Sequence, residues 1–285
     1  MTTEPLLRLQ GISKRFGAVQ ALTDVDFEVS PGEVVALVGD NGAGKSTLIK
    51  VVSGIFHADS GSFRFDGQER HIASPAAATA LGISTVYQDL ALCDNLDVVA
   101  NLYLGQEPTT VTRLIDEPNL ERDATMLLRR LAVSIPDVRT PVASLSGGQR
   151  QSVAVARATI GEPKLVILDE PTAALGVPQT MQVLNLIRRL REQGMAVIVI
   201  SHNLIDVFAV ADRIAVLRLG RMVANYQAAD SSGEQVVAAM TGAFDTSEVA
   251  KVMADAGPVE LDLSAHPLPA SGGDQRPAPD GGGAA

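Results

Sequence analysis

Residues 34–54 join the apolar run VVALV to Gly39-Asp40-Asn41-Gly42-Ala43-Gly44-Lys45-Ser46-Thr47 and then to LIKVVSG. Strand, glycine-rich turn and helix in that order leave few folds open. They gather main-chain N–H groups and the positive end of a helix at one concave point. Glycines let the backbone wrap a polyphosphate, Lys45 is placed to neutralise its β- and γ-phosphates, and Ser46 to ligate Mg²⁺. The pattern is that of a P-loop.

Further short apolar runs, Leu6–Ile12, Ile83–Tyr87, Leu165–Leu168, Val197–Ile200 and Ile214–Leu217, predict strands. Between 119 and 161 the period becomes helical. Leu120, Ala124, Leu127, Leu128 and Leu131 share a face behind Asn119 as a possible N-cap, and another helix is expected to start near Gly148. Met181, Leu184, Ile187 and Leu190 line one face of a third helix ending at Gly194. Strands alternating with helices imply an α/β chain whose end strands share one sheet, with a helical insertion between them.

With 285 residues, 46% of them hydrophobic, the chain can bury a core. Its formal net charge of -10 provides no global positive field for phosphodiester or anionic lipid, which argues against nucleic acid as a partner. A single cysteine, Cys93, and four scattered histidines (His57, His71, His202, His266) provide neither an intrachain disulfide nor a structural zinc cluster. The start MTTEPLLRLQ lacks a basic region followed by an apolar core, and no apolar run is long enough to cross a bilayer. The expectation is a chain that neither spans a membrane nor is exported.

The run Leu165–Leu168 ends in Asp169 and Glu170. Alone, such a pair is an ordinary solvated strand edge. Beside a P-loop it offers one carboxylate for Mg²⁺ and another as general base for water in line with a γ-phosphate. Leu145-Ser146-Gly147-Gly148-Gln149 is by itself a helix cap and a turn. Together with the P-loop and the acidic pair, however, it resembles the LSGGQ signature of ABC transporter ATP-binding subunits, a likeness that covers about residues 5 to 228.

That resemblance implies a P-loop NTPase, RecA-like α/β core with an ABC antiparallel β subdomain and an inserted α-helical subdomain at about 89–162. The ATPase domain would occupy 1–243. ATP and Mg²⁺ would be the ligands. Phe16 would stack on adenine, Gly39, Asp40, Asn41, Gly42, Ala43, Gly44, Lys45, Ser46 and Thr47 would cradle the phosphates, and Ser46, Gln88 and Asp169 would surround the metal. Glu170, His202 and Lys45 would be catalytic, with His202 holding the γ-phosphate geometry. Ser146, Gly147, Gly148 and Gln149 would meet the nucleotide held by another subunit. Plainer readings exist for single residues: Phe16 as core packing, Gln88 as a loop amide, His202 as a structural residue at a strand end.

The implied partners are a second copy or a homologous ATPase, integral membrane permease subunits and, indirectly, an extracytoplasmic solute-binding protein. The chain would then sit at the cytoplasmic face of the membrane. Leu90–Gly105, with adjacent helices, would form a groove for a short permease helix. One position departs from the family pattern: after Asp169-Glu170-Pro171-Thr172-Ala173-Ala174-Leu175, Gly176 stands where the D-loop usually has aspartate. This glycine form, TAALGV, is similar to ATPases of monosaccharide importers of the ribose, xylose and fructose type, as are Val86–Leu92 and Ile200–Leu204. Such systems often fuse two ATPase domains, so the single set of motifs leaves another small solute as the alternative. A soluble, non-transport ABC ATPase is less favoured.

Residues 244–285 carry eight Ala, six Gly, five Pro and seven acids against two bases. From Pro267 onward they cannot bury enough apolar surface to offset ordering, so an acidic, largely disordered tail is expected, with a weak helical pattern over 244–256.

Overall fold

The computed structural model describes residues 4–108 and 116–243. In chain order they form β1 (Leu7–Phe16), β2 (Val19–Val29), β3 (Val34–Val38), α1 (Lys45–Val52), β4 (Ser60–Phe65), β5 (Gln68–Glu69), α2 (Pro75–Ala80), β6 (Ile83–Val86) and α3 (Val98–Tyr103). Then follow α4 (Glu117–Arg130), α5 (Gly147–Ala158), β7 (Leu165–Asp169), α6 (Val177–Glu192), β8 (Ala196–Ile200), α7 (Leu204–Val210), β9 (Arg213–Arg218), β10 (Arg221–Gln227) and α8 (Gly233–Thr241). The expected tail, with the helical pattern at 244–256, lies outside the described residues.

Two sheets result. One is antiparallel, in the order β2-β1-β4-β5, and the other runs β10-β9-β3-β8-β7-β6, parallel except for β10. The inner strands β3, β7 and β8 are continuous apolar runs because both their faces are covered. Val35, Leu37, Leu165 and Ile167 turn toward α1 and the antiparallel sheet, while Val166 and Leu168 pack with α5 and α6. Ala36 and Val38 pack with Val207 of α7 and Val236 of α8.

Register places the chemistry. Ile200 of β8 is level with both Leu37 of β3 and Asp169 of β7, so the loops following these three strands leave the sheet at the same edge. Ligands bind in open parallel sheets at the carboxyl ends of the strands.

Two helix details differ from the sequence expectation. Asn119 is not the N-cap of α4: the helix begins at Glu117, and Asn119 lies within it, donating from Nδ2 to Asp116 Oδ2 at 2.6 Å. Pro118, with its preset φ and no N–H to satisfy, fits the first turn, so the helix starts earlier than the apolar periodicity indicates. Met181 is 47% exposed, whereas Leu184, Ile187 and Leu190 are buried, so the apolar face of α6 enters the core only from its second turn onward.

Candidate functional site

β3 ends in the glycine-rich loop, and α1 begins at Lys45. The loop lies tight against the strand ends. A Cβ on Gly39 would stand 2.1 Å from the Leu217 carbonyl oxygen, and one on Gly44 would stand 2.8 Å from that of Ala21. Gly44, at φ 107, also turns the chain into the helix, a conformation that side chains resist. The Lys45 ammonium is held inside the loop, donating to the carbonyls of Gly39 at 2.6 Å and Asp40 at 3.1 Å. Ser46 is exposed at the first helical turn. A cavity of about 430 Å³ runs along this loop, walled by Asn41–Thr47 on one side and by Val19, Gln20, Leu219 and Gly220 on the other.

These last four residues escaped the sequence reading. Leu219 and Gly220 form the β9–β10 turn, with φ 47 and 75, and Gly220 N–H donates to the Ala43 carbonyl at 2.9 Å while its own carbonyl accepts from Thr23 N–H at 2.8 Å. The turn thus buttresses the P-loop. A glycine directly after an apolar strand was the available sequence cue.

Asp169 closes β7, and burial together with the adjacent Glu170 charge raises its pKa above the ordinary carboxylate value. Lys45 and Lys50 pull in the opposite direction, which places this carboxyl within the field of the P-loop lysine. Glu170 follows in left-handed backbone geometry, φ 50, with its N–H donating to the Ile200 carbonyl at 2.9 Å. A non-glycine residue there is uncommon and is sustained by its surroundings. The turn aims the Glu170 carboxylate at His202, whose Nδ1 lies 2.9 Å away. Asp206, only 7% exposed, accepts from Thr172 Oγ1 at 2.6 Å and so joins the loop after β7 to the helix after β8. Neither Thr172 nor Asp206 carries a sequence mark of its own.

Gln88 is exposed just beyond β6. Its neighbour Tyr87 donates through its hydroxyl to Ser53 Oγ at 3.0 Å, linking this loop to the end of α1. Phe16 does not line the P-loop cavity; it is 41% exposed, meets Phe56 edge-on at 5.0 Å between centroids and has Lys14 Nζ 5.4 Å from its ring centre.

Ser146 caps α5: its Oγ accepts from Gln149 N–H at 3.3 Å, and Gln149 Oε1 accepts from Ser146 N–H at 3.0 Å. The cap and the LSGGQ motif are therefore the same residues. Ser146 and Gly147 are exposed, and none of Ser146–Gln149 lines the P-loop cavity of this chain. Among the described residues no cluster of three or more His, Cys, Asp or Glu is arranged to hold a metal. The Ser46 hydroxyl and the Asp169 carboxylate are oxygen donors of the kind a hard cation such as Mg²⁺ takes.

Residues 22–173 match the family model described as ABC transporter. The chain belongs to the ABC transporter ATP-binding family. It is 45% identical over 250 residues to the fructose import ATP-binding protein of Rhizobium meliloti, covering 85% of this chain and 96% of that one. It is 44% identical over 236 residues to the xylose/arabinose import ATP-binding protein of Sulfolobus acidocaldarius, covering 83% and 94%. Against a putative ribose/galactose/methyl galactoside import ATP-binding protein of Burkholderia cenocepacia, 43% identical, this chain spans only 47% of the partner's length. An ABC transporter ATP-binding cassette solved in its ADP conformation superposes with a TM-score of 0.72 at 28% identity, covering 84% of this chain and 96% of that one. This chain is accordingly an ATP-binding ABC ATPase. Among the described residues no helix is long and apolar enough to cross a membrane.

Proposed function

We propose that this ABC ATPase powers uptake of a monosaccharide through a separate membrane permease, at the cytoplasmic face of the membrane. The observation that carries the motor is the 2.9 Å approach of Glu170 and His202 at the same sheet edge as the P-loop. The sugar assignment is supported by the xylose/arabinose and fructose import relatives, nearly all of whose length this chain spans. Those single-cassette relatives weaken the argument that one set of motifs points to another solute.

In this reading the N–H groups of Gly39–Thr47 and the Lys45 ammonium hold the β- and γ-phosphates. Lys45 moves from the Gly39 and Asp40 carbonyls to the phosphates, exchanging neutral acceptors for charged ones. Ser46, Gln88 and Asp169 would hold Mg²⁺, which supplies charge neutralisation on the phosphate oxygens. Glu170 takes the proton from an attacking water, and His202, hydrogen-bonded to it, keeps that carboxylate oriented and faces the γ-phosphate. Phe16 offers its exposed ring to adenine.

The exposed Ser146–Gly147 end of α5 is idle toward its own P-loop, so it serves the nucleotide of a second copy or a homologue. Two ATP molecules then hold two subunits together, and hydrolysis releases them. The permease docks at the groove of about 390 Å³ between β6, α2, α3 and α5, with Tyr87, Leu90, Leu102 and Leu104 in its wall. Residues 1–243 form the ATPase domain, with 89–162 as its helical subdomain. Copurification with the native permease, followed by ATPase measurements across a sugar panel, tests the assignment. Stimulation by a sugar is expected; stimulation by amino acids or lipids alone rejects sugar import and leaves the motor standing.

A further inference from the structure

Helix α5 is 12 residues, about 18 Å, of unbroken helix, and it joins two places of unlike function. Its first turn carries Gly147 and Gly148. Its last turn carries Arg157, whose guanidinium leaves the helix sideways: Nη1 donates to the Ala91 carbonyl at 2.9 Å and Nη2 to the Leu90 carbonyl at 2.8 Å. Both acceptors lie two and three residues beyond Gln88.

The segment grasped in this way is not relaxed. Ala91 has φ 48, a left-handed conformation that a residue with a Cβ holds only where its surroundings fix it. Asp89 Oδ1 accepts from Ala91 N–H at 3.2 Å, and the two Arg157 bonds complete the constraint. At its other end the segment is fastened by Asn101 of α3, which is fully buried. Asn101 Oδ1 accepts from Cys93 N–H at 2.7 Å, and its Nδ2 donates to the carbonyls of Cys93, Leu96 and Asp97 at 3.0, 3.2 and 2.9 Å. Leu90–Asp97 is therefore held as a unit, clasped from α5 and from α3.

Arg157 is half-buried, and burial lowers its pKa. Among the described residues its hydrogen bonds go to main-chain carbonyls alone, so the cost of sheltering the charge is met by holding this segment rather than by pairing with an acid. A bidentate planar fork matches two successive carbonyls; the point charge of lysine does not.

We propose that Arg157 is a positioning residue that carries movement of the Ser146–Gln149 end of α5 to the Leu90–Asp97 segment in the wall of the 390 Å³ groove. The proposal rests on the reading that this end of α5 meets the nucleotide of a second subunit. When that nucleotide draws on the helix cap, α5 moves as a rigid rod, and the Arg157 fork displaces Leu90 and Ala91 with it. The groove then changes shape in step with nucleotide occupancy.

Hydrogen exchange of the full chain, with and without a non-hydrolysable ATP analogue and Mg²⁺, tests this. With Arg157 present, amides within 89–97 are expected to exchange about tenfold more slowly on adding the analogue, as a locally stabilised segment does. Arg157→Ala is expected to lose that change while residues 39–47 remain protected by the analogue. Arg157→Lys, which keeps the positive charge on a flexible four-carbon stem, is expected to keep about a third of the effect, since one ammonium serves one carbonyl well at a time. An undiminished response at 89–97 in either variant overturns the proposal, and so does no response there with Arg157 in place. Failure of the nucleotide-site reading is distinct: it shows as no protection at 39–47 in any of the three proteins.

Discussion

His202 Nδ1 stands 2.9 Å from the Glu170 carboxylate, the histidine side chain 71% exposed and the glutamate only 17%. In the proposed mechanism the sheltered partner is the base and the exposed one its guide, because a carboxylate out of bulk water keeps a defined direction for accepting a proton. Glu170→Gln keeps the shape and removes the basicity. Turnover should fall by about 10² or more, the range for losing a general base, with ATP binding retained. Steady-state hydrolysis beside a nucleotide titration checks this, and unchanged turnover takes the proton away from Glu170.

Asp169 gives a prediction in the opposite sense, for stability. Burial and the Glu170 charge raise its pKa in the folded chain, outweighing Lys45 and Lys50. A carboxyl with a raised folded pKa binds its proton more tightly folded than unfolded. Its contribution is then fully present below the unfolded pKa and is lost as pH rises through the folded one. Asp169→Asn, neutral throughout, should unfold at a higher temperature than the parent at about pH 7–8 without nucleotide, with the gap closing toward about pH 4. Thermal scans across that range read it directly. With Mg²⁺ and ATP added the order should reverse, because only the aspartate gains from the cation.

Gly148 and Gly176 both face Gln179 of α6, with different consequences. A Cβ on Gly148 would lie 2.6 Å from Gln179 Cβ and 2.8 Å from Cγ, near the root of the side chain, where little can give. A Cβ on Gly176 would meet the far end of the Gln179 side chain, its amide oxygen at 2.7 Å and Cδ at 3.7 Å, and that end can swing away. Gly148→Ala should therefore cost about 1–3 kcal/mol through forced separation of α5 and α6. Gly176→Asp should stay within about 0.5 kcal/mol, since it places a favoured residue at the N-cap of α6. Urea titrations separate the two outcomes.

Legibility in the sequence followed the kind of bond involved. β3, β7 and β8 were readable because both faces of a parallel strand must be apolar, and the P-loop because glycine is dictated by an approach as close as that of Gly39 to the Leu217 carbonyl. β10 was not, since its alternation is between exposed and half-exposed residues. β4, broken by Gly61 and largely uncovered, was equally silent. At the site, Lys45 stood out through the glycine-rich pattern before it, and Asp169 and Glu170 as a carboxylate pair closing an apolar run, whereas His202 was marked only by the family resemblance. Arg157 and Asn101 did not stand out, because they bond main-chain carbonyls, which look alike in every residue. The left-handed turn at Glu170, which aims its carboxylate, likewise leaves no trace in residue type.

Thr172 and Asp206 join the loop bearing Glu170 to the helix that follows His202, through the 2.6 Å bond from Oγ1 to Oδ2. Asp206 is 7% exposed, so removing its donor leaves a carboxylate oxygen short of a partner in a place where water is scarce. Thr172→Val should then destabilise by about 1–3 kcal/mol, the cost of an unsatisfied buried acceptor. Asp206→Ala removes the acceptor itself, and adding Thr172→Val to it should cost far less than Thr172→Val alone. The coupling expected from denaturation of the single and double variants is about 0.5–3 kcal/mol. Turnover should track the same cycle, because either loss frees the two loops to move apart and lengthens the Glu170–His202 contact. Strict additivity in both stability and turnover would mean that the bond is incidental, and that the two loops keep their spacing through the Glu170 N–H bond to the Ile200 carbonyl and the strand pairing behind it.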